Sequence, residues 1–171
     1  MSELRFEAAA PDGPAALPAD WRRIHNLIIP TAPLSAADVR ERAGRNRLVV
    51  AYLGATAVGC STVRPPAGNP AAATVIARIL PEFRRRGHGH RLYQHALATA
   101  REMGADEIDT VVLAANADGL IFARHHGFVE IERYVLPGDT IPFVDLRLAV
   151  KKPDGGPDRG PHPAGPPGPP G

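Results

Sequence analysis

The chain has 171 residues, of which 44% are hydrophobic, 22% charged and 5% aromatic, with a formal charge of +2. That length gives one compact domain with a real core and is short for two, and the composition is that of a folded protein. So small a charge with so few aromatics excludes an extended nucleic-acid surface or a base-stacking platform.

Cys60 is the single cysteine, which excludes an internal disulfide and a cysteine-based metal site and suits a reducing, cytoplasmic setting. The first residues, with Glu3 and Arg5 around Leu4, lack the apolar stretch of a signal peptide. No run approaches the roughly 20 apolar residues that span a bilayer. Neither nucleic acid nor a membrane is an expected partner.

In chain order, residues 4–8 predict a short strand. Residues 21–29, with Trp21, Ile24, Leu27 and Ile28 at helical spacing, predict a helix stopped by Pro30. Ser35 opens a second short helix as its cap, with Asp38 in the capping-box position where Glu or Gln is usual. Residues 47–53 and 55–63 are β-rich around Gly54 and predict an antiparallel hairpin that Pro65 and Pro66 terminate. Residues 74–80 are a further strand, halted by Pro81.

Residues 87–103 carry the strongest helical pattern. Gly89, Leu92, Tyr93, Ala96, Leu97, Ala100 and Met103 share one face, and Gly104 supplies the stop. A strand at 107–115, a short helix at 118–125 and strands at 128–136 and 141–150 complete the order β-α-α-β-β-β-α-β-α-β-β. Cys60, between Gly59 and Ser61 in a predicted strand, reads as a small core residue. From Pro153 to the end, eight prolines and six glycines fall among nineteen residues. Residues 151–171 therefore predict a disordered tail behind a domain of residues 1–150.

The densest charge is Arg84, Arg85 and Arg86, followed by Gly87, His88, Gly89 and His90, where a predicted strand gives way to the best helix. The first turn of a helix carries N–H groups with no internal partner, which together with the helix dipole bind phosphate oxygens. Gly87 and Gly89 let the main chain approach such a ligand. A P-loop is excluded, because no Lys followed by Ser or Thr comes after the glycines. A dinucleotide fold lacks its third glycine and its downstream acid. The turn suits a small anionic ligand carrying a diphosphate.

Arg84, Gly87 and Gly89 match the motif of the GNAT superfamily of acetyltransferases: Arg or Gln, two residues, Gly, one residue, then Gly or Ala. Asn116 at a strand end, a short helix, and Gly127-Phe128 leading into the next strand match a second feature of that family. The chain therefore resembles a GNAT N-acetyltransferase over about residues 4–148, with the specific motifs between Thr74 and Phe128. Residues 21–43 also resemble the front half of actinobacterial tandem GNAT proteins.

The resemblance implies an α+β fold with a mixed, mostly antiparallel sheet of about six or seven strands flanked by about four helices. It implies acetyl-CoA as cosubstrate and an amine acceptor that attacks the thioester directly in a ternary complex, the protein being a monomer or a homodimer. The main chain of Ala77, Arg78, Ile79 and Leu80 would pair with pantetheine, and Arg84, Arg85, Arg86, Gly87, His88, Gly89 and His90 would hold the diphosphate. Asn116 would bind the pantetheine arm, or else simply end a strand and start a turn. A main-chain N–H near Ile79 or Leu80 would face the developing oxyanion.

No base is identifiable. Glu107, Asp109, Glu130, Glu132 and Asp145 read as solvated strand charges, His25 lies in the acceptor region, and His88, His125 and His126 lie on the cofactor side. Many relatives place a tyrosine four residues before the Gly of Gly-Phe as the acid for the departing thiolate; here that position is Ala123, beside Phe122. Tyr134 is a substitute acid or a half-buried strand aromatic. The departure admits a second reading, a GNAT-like module that binds acyl-CoA without turnover.

Overall fold

The computed structural model describes residues 2–149. The tail expected to be disordered and Val150, the expected end of the last strand, lie outside the described residues. The elements are β1 (Leu4–Ala8), α1 (Ala16–Ile28), α2 (Ala36–Arg45), β2 (Arg47–Leu53), β3 (Thr56–Ala67), β4 (Ala72–Ile79), a 3-10 turn (Pro81–Phe83), α3 (His88–Glu102), β5 (Glu107–Leu113), α4 (Ala117–His125), β6 (Phe128–Tyr134) and β7 (Phe143–Leu148). The seven strands form one sheet in the order β1-β2-β3-β4-β5-β7-β6. Every pairing is antiparallel except β4 with β5. This is the mixed, mostly antiparallel sheet with four helices that the sequence leads one to expect.

Local chemistry accounts for most boundaries. The Ser35 hydroxyl accepts from the Asp38 N–H at 3.1 Å and the Asp38 carboxylate accepts from the Ser35 N–H at 2.8 Å, so Asp closes the capping box as Glu would. At the far end of α3, Gly104 takes φ +90°. Its N–H donates to Arg101 O at 2.9 Å, and the Ala105 N–H donates to Ala100 O at 3.1 Å. These are the two bonds of a Schellman stop.

Two expectations are corrected. α1 begins at Ala16 rather than at Trp21, because Pro18 falls in its first turn, where a missing N–H costs nothing. Leu17 thereby joins Trp21 and Ile24 on the buried stripe, His25 rather than Leu27 turns inward, and Leu27 is 61% exposed. β3 also runs through Pro65 and Pro66 to Ala67. β2 pairs with β3 only as far as Val63, and on the β4 side the prolines fall in a register shift between Arg64 and Ala67. The ladder has no bond there for a proline to break.

The sheet is covered on both faces. On one, Leu92, Tyr93, Ala96, Leu97 and Ala100 of α3 pack on Val63, Ala73, Val75 and Ile79. On the other, Trp21, Ile24 and Val39 pack on Leu48, Val50, Cys60 and Leu80, and the Trp21 indole donates to Ser61 O at 3.1 Å. Cys60 is fully buried, as expected of a core residue. Each large apolar side chain so covered contributes about 1.5–3 kcal/mol. Among the described residues no helix is long and apolar enough to cross a membrane.

One irregularity positions the site. β4 and β5 pair only through Ala72, Ala73 and Thr74 with Glu107, Ile108 and Asp109. Beyond these residues β4 stays with β3 as far as Ile79, and β5 stays with β7 as far as Leu113. The sheet is split between its two central strands, at the end where β4 runs into the arginine turn.

Candidate functional site

The turn after β4 has the geometry of an anion cradle. Arg85 and Gly87 both take left-handed dihedrals, φ +63° and φ +82°. An arginine in that region costs roughly 1–2 kcal/mol, which the surrounding turn must hold. Gly87 caps α3 with no side-chain acceptor, and the N–H groups of Gly87, His88, Gly89 and His90 have no main-chain partner. Arg85, Arg86 and Gly87 are exposed, while Arg84, His88 and Gly89 are partly buried. Arg84 also braces the turn: its Nε donates to Ile79 O at 2.8 Å, and its Nη1 lies 3.9 Å from the Asp118 carboxylate.

The main chain of β4 divides by its period of two. Ile79 turns its carbonyl away from β3, toward Arg84, whereas Leu80 donates its N–H to Val58 O at 2.9 Å and accepts from the Phe83 N–H at 2.9 Å. Ala77 and Ile79 therefore present main-chain groups to the split, and Arg78 and Leu80 do not. Of the two N–H groups considered for an oxyanion, Leu80's is already engaged and Ile79's faces the opening.

Asn116 caps α4: its side-chain oxygen accepts from the Gly119 N–H at 2.9 Å, and its own N–H donates to Leu113 O at 2.9 Å. Ala123 is buried at 3% exposure and brings no hydroxyl to the cleft. Tyr134 donates its hydroxyl proton to Asp145 at 3.1 Å and stacks on Phe143, the part of a half-buried strand aromatic. Burial, then Asp145, raises its pKa. Glu107 and Asp109 pair with Arg147 at 3.1 and 2.7 Å, and Glu130 pairs with Arg133. His126 donates from Nδ1 to Phe122 O at 2.8 Å, which leaves its Nε2 facing His90 Nδ1 at 2.9 Å.

On the opposite face of the sheet lies a group of residues that strand-by-strand reading misses. His25, 6% exposed on α1, stacks on Trp21 and donates from Nδ1 to Asn26 Oδ1 at 3.0 Å. The Asn26 amide is itself oriented by two bonds to the Leu34 main chain. Burial first, then the charges of Arg78 and Arg42, holds the His25 pKa below its ordinary value, against the opposing pull of Asn26. Arg78, partly buried on β4, is pulled below the usual arginine range chiefly by burial, with Arg64 and Arg42 acting the same way. The one available signal was a charged residue inside the apolar run Val75-Ile76-Ala77-Arg78-Ile79-Leu80.

The family model described as "Acetyltransferase (GNAT) family" matches residues 15–128. No curated protein matches the chain. Among solved structures the chain is similar to Ard1 from Thermoplasma volcanium, with TM-score 0.69 and 17% identity over 87% of this chain and 99% of that one. It is similar to yncA from Salmonella typhimurium with its cofactor acetyl-CoA, with TM-score 0.68 and 13% identity over 89% and 96% of the two chains. A third likeness is to Arabidopsis thaliana NAA60 in complex with acetyl-CoA, with TM-score 0.69 and 12% identity over 85% and 97%. At such identities the likeness is one of fold.

Proposed function

We propose that this chain, which belongs to the acetyltransferase (GNAT) family, moves an acetyl group from acetyl-CoA to a primary amine within its residues 1–150. The observation that carries the reading is the split between β4 and β5 opening directly onto the turn of Arg84, Arg85, Arg86, Gly87, His88, Gly89 and His90. Four unpartnered N–H groups at a helix start and a rim of arginine suit a diphosphate. The main chain of Ala77 and Ile79 suits an extended amide-bearing arm lying in the split as an added strand, with Asn116 at its far edge. The Ile79 N–H is the donor for oxygen charge that builds at the thioester carbonyl, a role whose loss typically costs about 10² to 10³ in rate. A thiol of the cysteine type has a pKa near 8.5, so the leaving group needs little help, and water replaces part of the missing acid where Ala123 stands.

Incubation with acetyl-CoA and a panel of primary amines, with free thiol followed over time, tests this. Amine-dependent thiol release is expected. Tight CoA binding with no release across a broad panel would instead favour a module that binds acyl-CoA without turnover. The buried methyl of Ala123, where a phenol would act as acid, is the observation on that side.

A further inference from the structure

Arg42 of α2, Arg64 of β3 and Arg78 of β4 converge on one face of the sheet beside His25. Cys60 and Arg78 are cross-strand partners, so their side chains leave the sheet on the same face, the one covered by α1 and α2. Arg42 lies one helical turn beyond Val39, which is buried against that face. The charges of the three arginines act on one another, and those of Arg42 and Arg78 act on His25.

No carboxylate forms a close ion pair with them. Among the described residues none of the three arginines has an Asp or Glu oxygen within 4.0 Å. Asp38 and Glu41 act on the charge of Arg42 from a distance, but their carboxylates are bonded elsewhere, Asp38 in the capping box and Glu41 on Arg45 at 2.8 Å. The cross-strand neighbour of Arg78 is the buried Cys60, whose thiol pKa is pushed up to about 11 by burial, so it offers Arg78 no negative charge. Arg42 and Arg78 are partly buried and Arg64 is exposed at their rim; partly buried cations without a counter-ion are unfavourable for folding alone, since buried charges are ordinarily paired.

Resting on the reading of the chain as an amine acetyltransferase, we infer that the acceptor is a primary amine that also bears an anionic group, a carboxylate or similar oxyanion, which Arg78 binds with Arg64 and Arg42. The side chain of Arg78 leaves β4 between Ala77 and Ile79, whose main chains line the split, so an anion held there sits beside the opening. It does so on the sheet face opposite α3 and its phosphate turn. The two substrates would meet from opposite faces. The same cations disfavour an ammonium group nearby, which favours the free amine that attack requires.

The test compares matched amines of equal length, an ω-amino carboxylate against the corresponding alkylamine and diamine, by thiol release from acetyl-CoA and by thermal shift of the CoA-bound protein. The wild type is expected to prefer the carboxylate by about tenfold or more in kcat/KM and to gain melting temperature from it alone. Arg78→Met should abolish that preference and leave CoA affinity unchanged, and Arg78→Lys should retain part of it. Met also removes an unpaired charge, so its melting temperature should hold or rise. Equal or better use of the alkylamine or diamine overturns the inference while leaving acetyl transfer standing. Selective stabilisation by the carboxylate without any thiol release upholds it and defeats turnover instead. A lack of discrimination in both measurements overturns it, as does an Arg78→Met protein that unfolds while Arg78→Lys does not restore selectivity.

Discussion

His25 shows how one buried side chain acquires a pH dependence from its neighbours. In the unfolded chain it titrates near 6.5, and in the folded chain burial and the adjacent arginines hold it lower. Between those two values the unfolded chain binds more protons, so stability falls as the pH drops below about 6.5 and levels off below the folded value. His95 is lowered too, first by burial and then by Arg47. His25→Gln should therefore reduce, and the double change with His95→Gln nearly remove, the histidine part of the loss of denaturation midpoint between about pH 7.5 and about pH 5.5. An unchanged slope in the double variant would show that neither ring stays neutral in the fold. The residue scale also explains which parts of the site were legible in the sequence. The roles proposed for Arg84, Gly87 and Gly89 rest on local backbone geometry that their own spacing encodes, whereas that proposed for Arg78, Arg64 and Arg42, far apart in sequence, rests on their facing one another.

At the scale of elements, glycine positions separate packing from flexibility. A Cβ on Gly119 of α4 would lie 2.5 Å from Asn116 Nδ2 and 2.9 Å from Val112 Cγ1, so the capped start of α4 closes only over a bare backbone. Gly119→Ala should destabilise by about 1–3 kcal/mol in urea denaturation. Gly44 of α2 is the contrary case, a helical glycine with nothing within 4 Å of its Cβ position. Gly44→Ala should stabilise by about 0.5–1 kcal/mol in the same experiment. Gly89 lies between these, with Phe122 Cε2 at 3.5 Å and Ile79 Cγ1 at 3.6 Å from its Cβ position. Alanine fits there, but a bulky residue such as Trp would fill the approach to the first turn of α3. Gly89→Trp is expected to abolish CoA binding in calorimetry, and persistent binding would move the diphosphate away from this turn. Two of the element boundaries that departed from expectation, the start of α1 and the end of β3, share a cause. In both, proline sits where the neighbouring structure makes no demand on its missing N–H.

At the scale of the molecule, the split between β4 and β5 leaves main-chain groups of central strands without ladder partners while helices cover both faces of the sheet around them. A ligand that lies in the split binds the folded chain alone. At about 100 times its Kd it should stabilise the fold by roughly 2.7 kcal/mol. CoA should accordingly raise the melting temperature and slow amide exchange at Ala77 and Ile79 more than at Arg78 and Leu80, which face β3. Equal protection of all four amides would mean that CoA closes the sheet generally and does not pair along one edge of β4.

The sequence by itself determined the order of the elements, the two-faced α3 helix, the arginine-glycine turn before it and the family, because each rests on spacing within one or two neighbouring segments. The tertiary structure alone decided how far β4 and β5 stay paired, which main-chain groups remain free in the gap, and the convergence of Arg42, Arg64, Arg78 and His25. These depend on register and on the packing of α1 and α2, and both are set by contacts between residues distant in the chain. The sequence can place an arginine on a strand, but only the folded sheet shows which charges it must face.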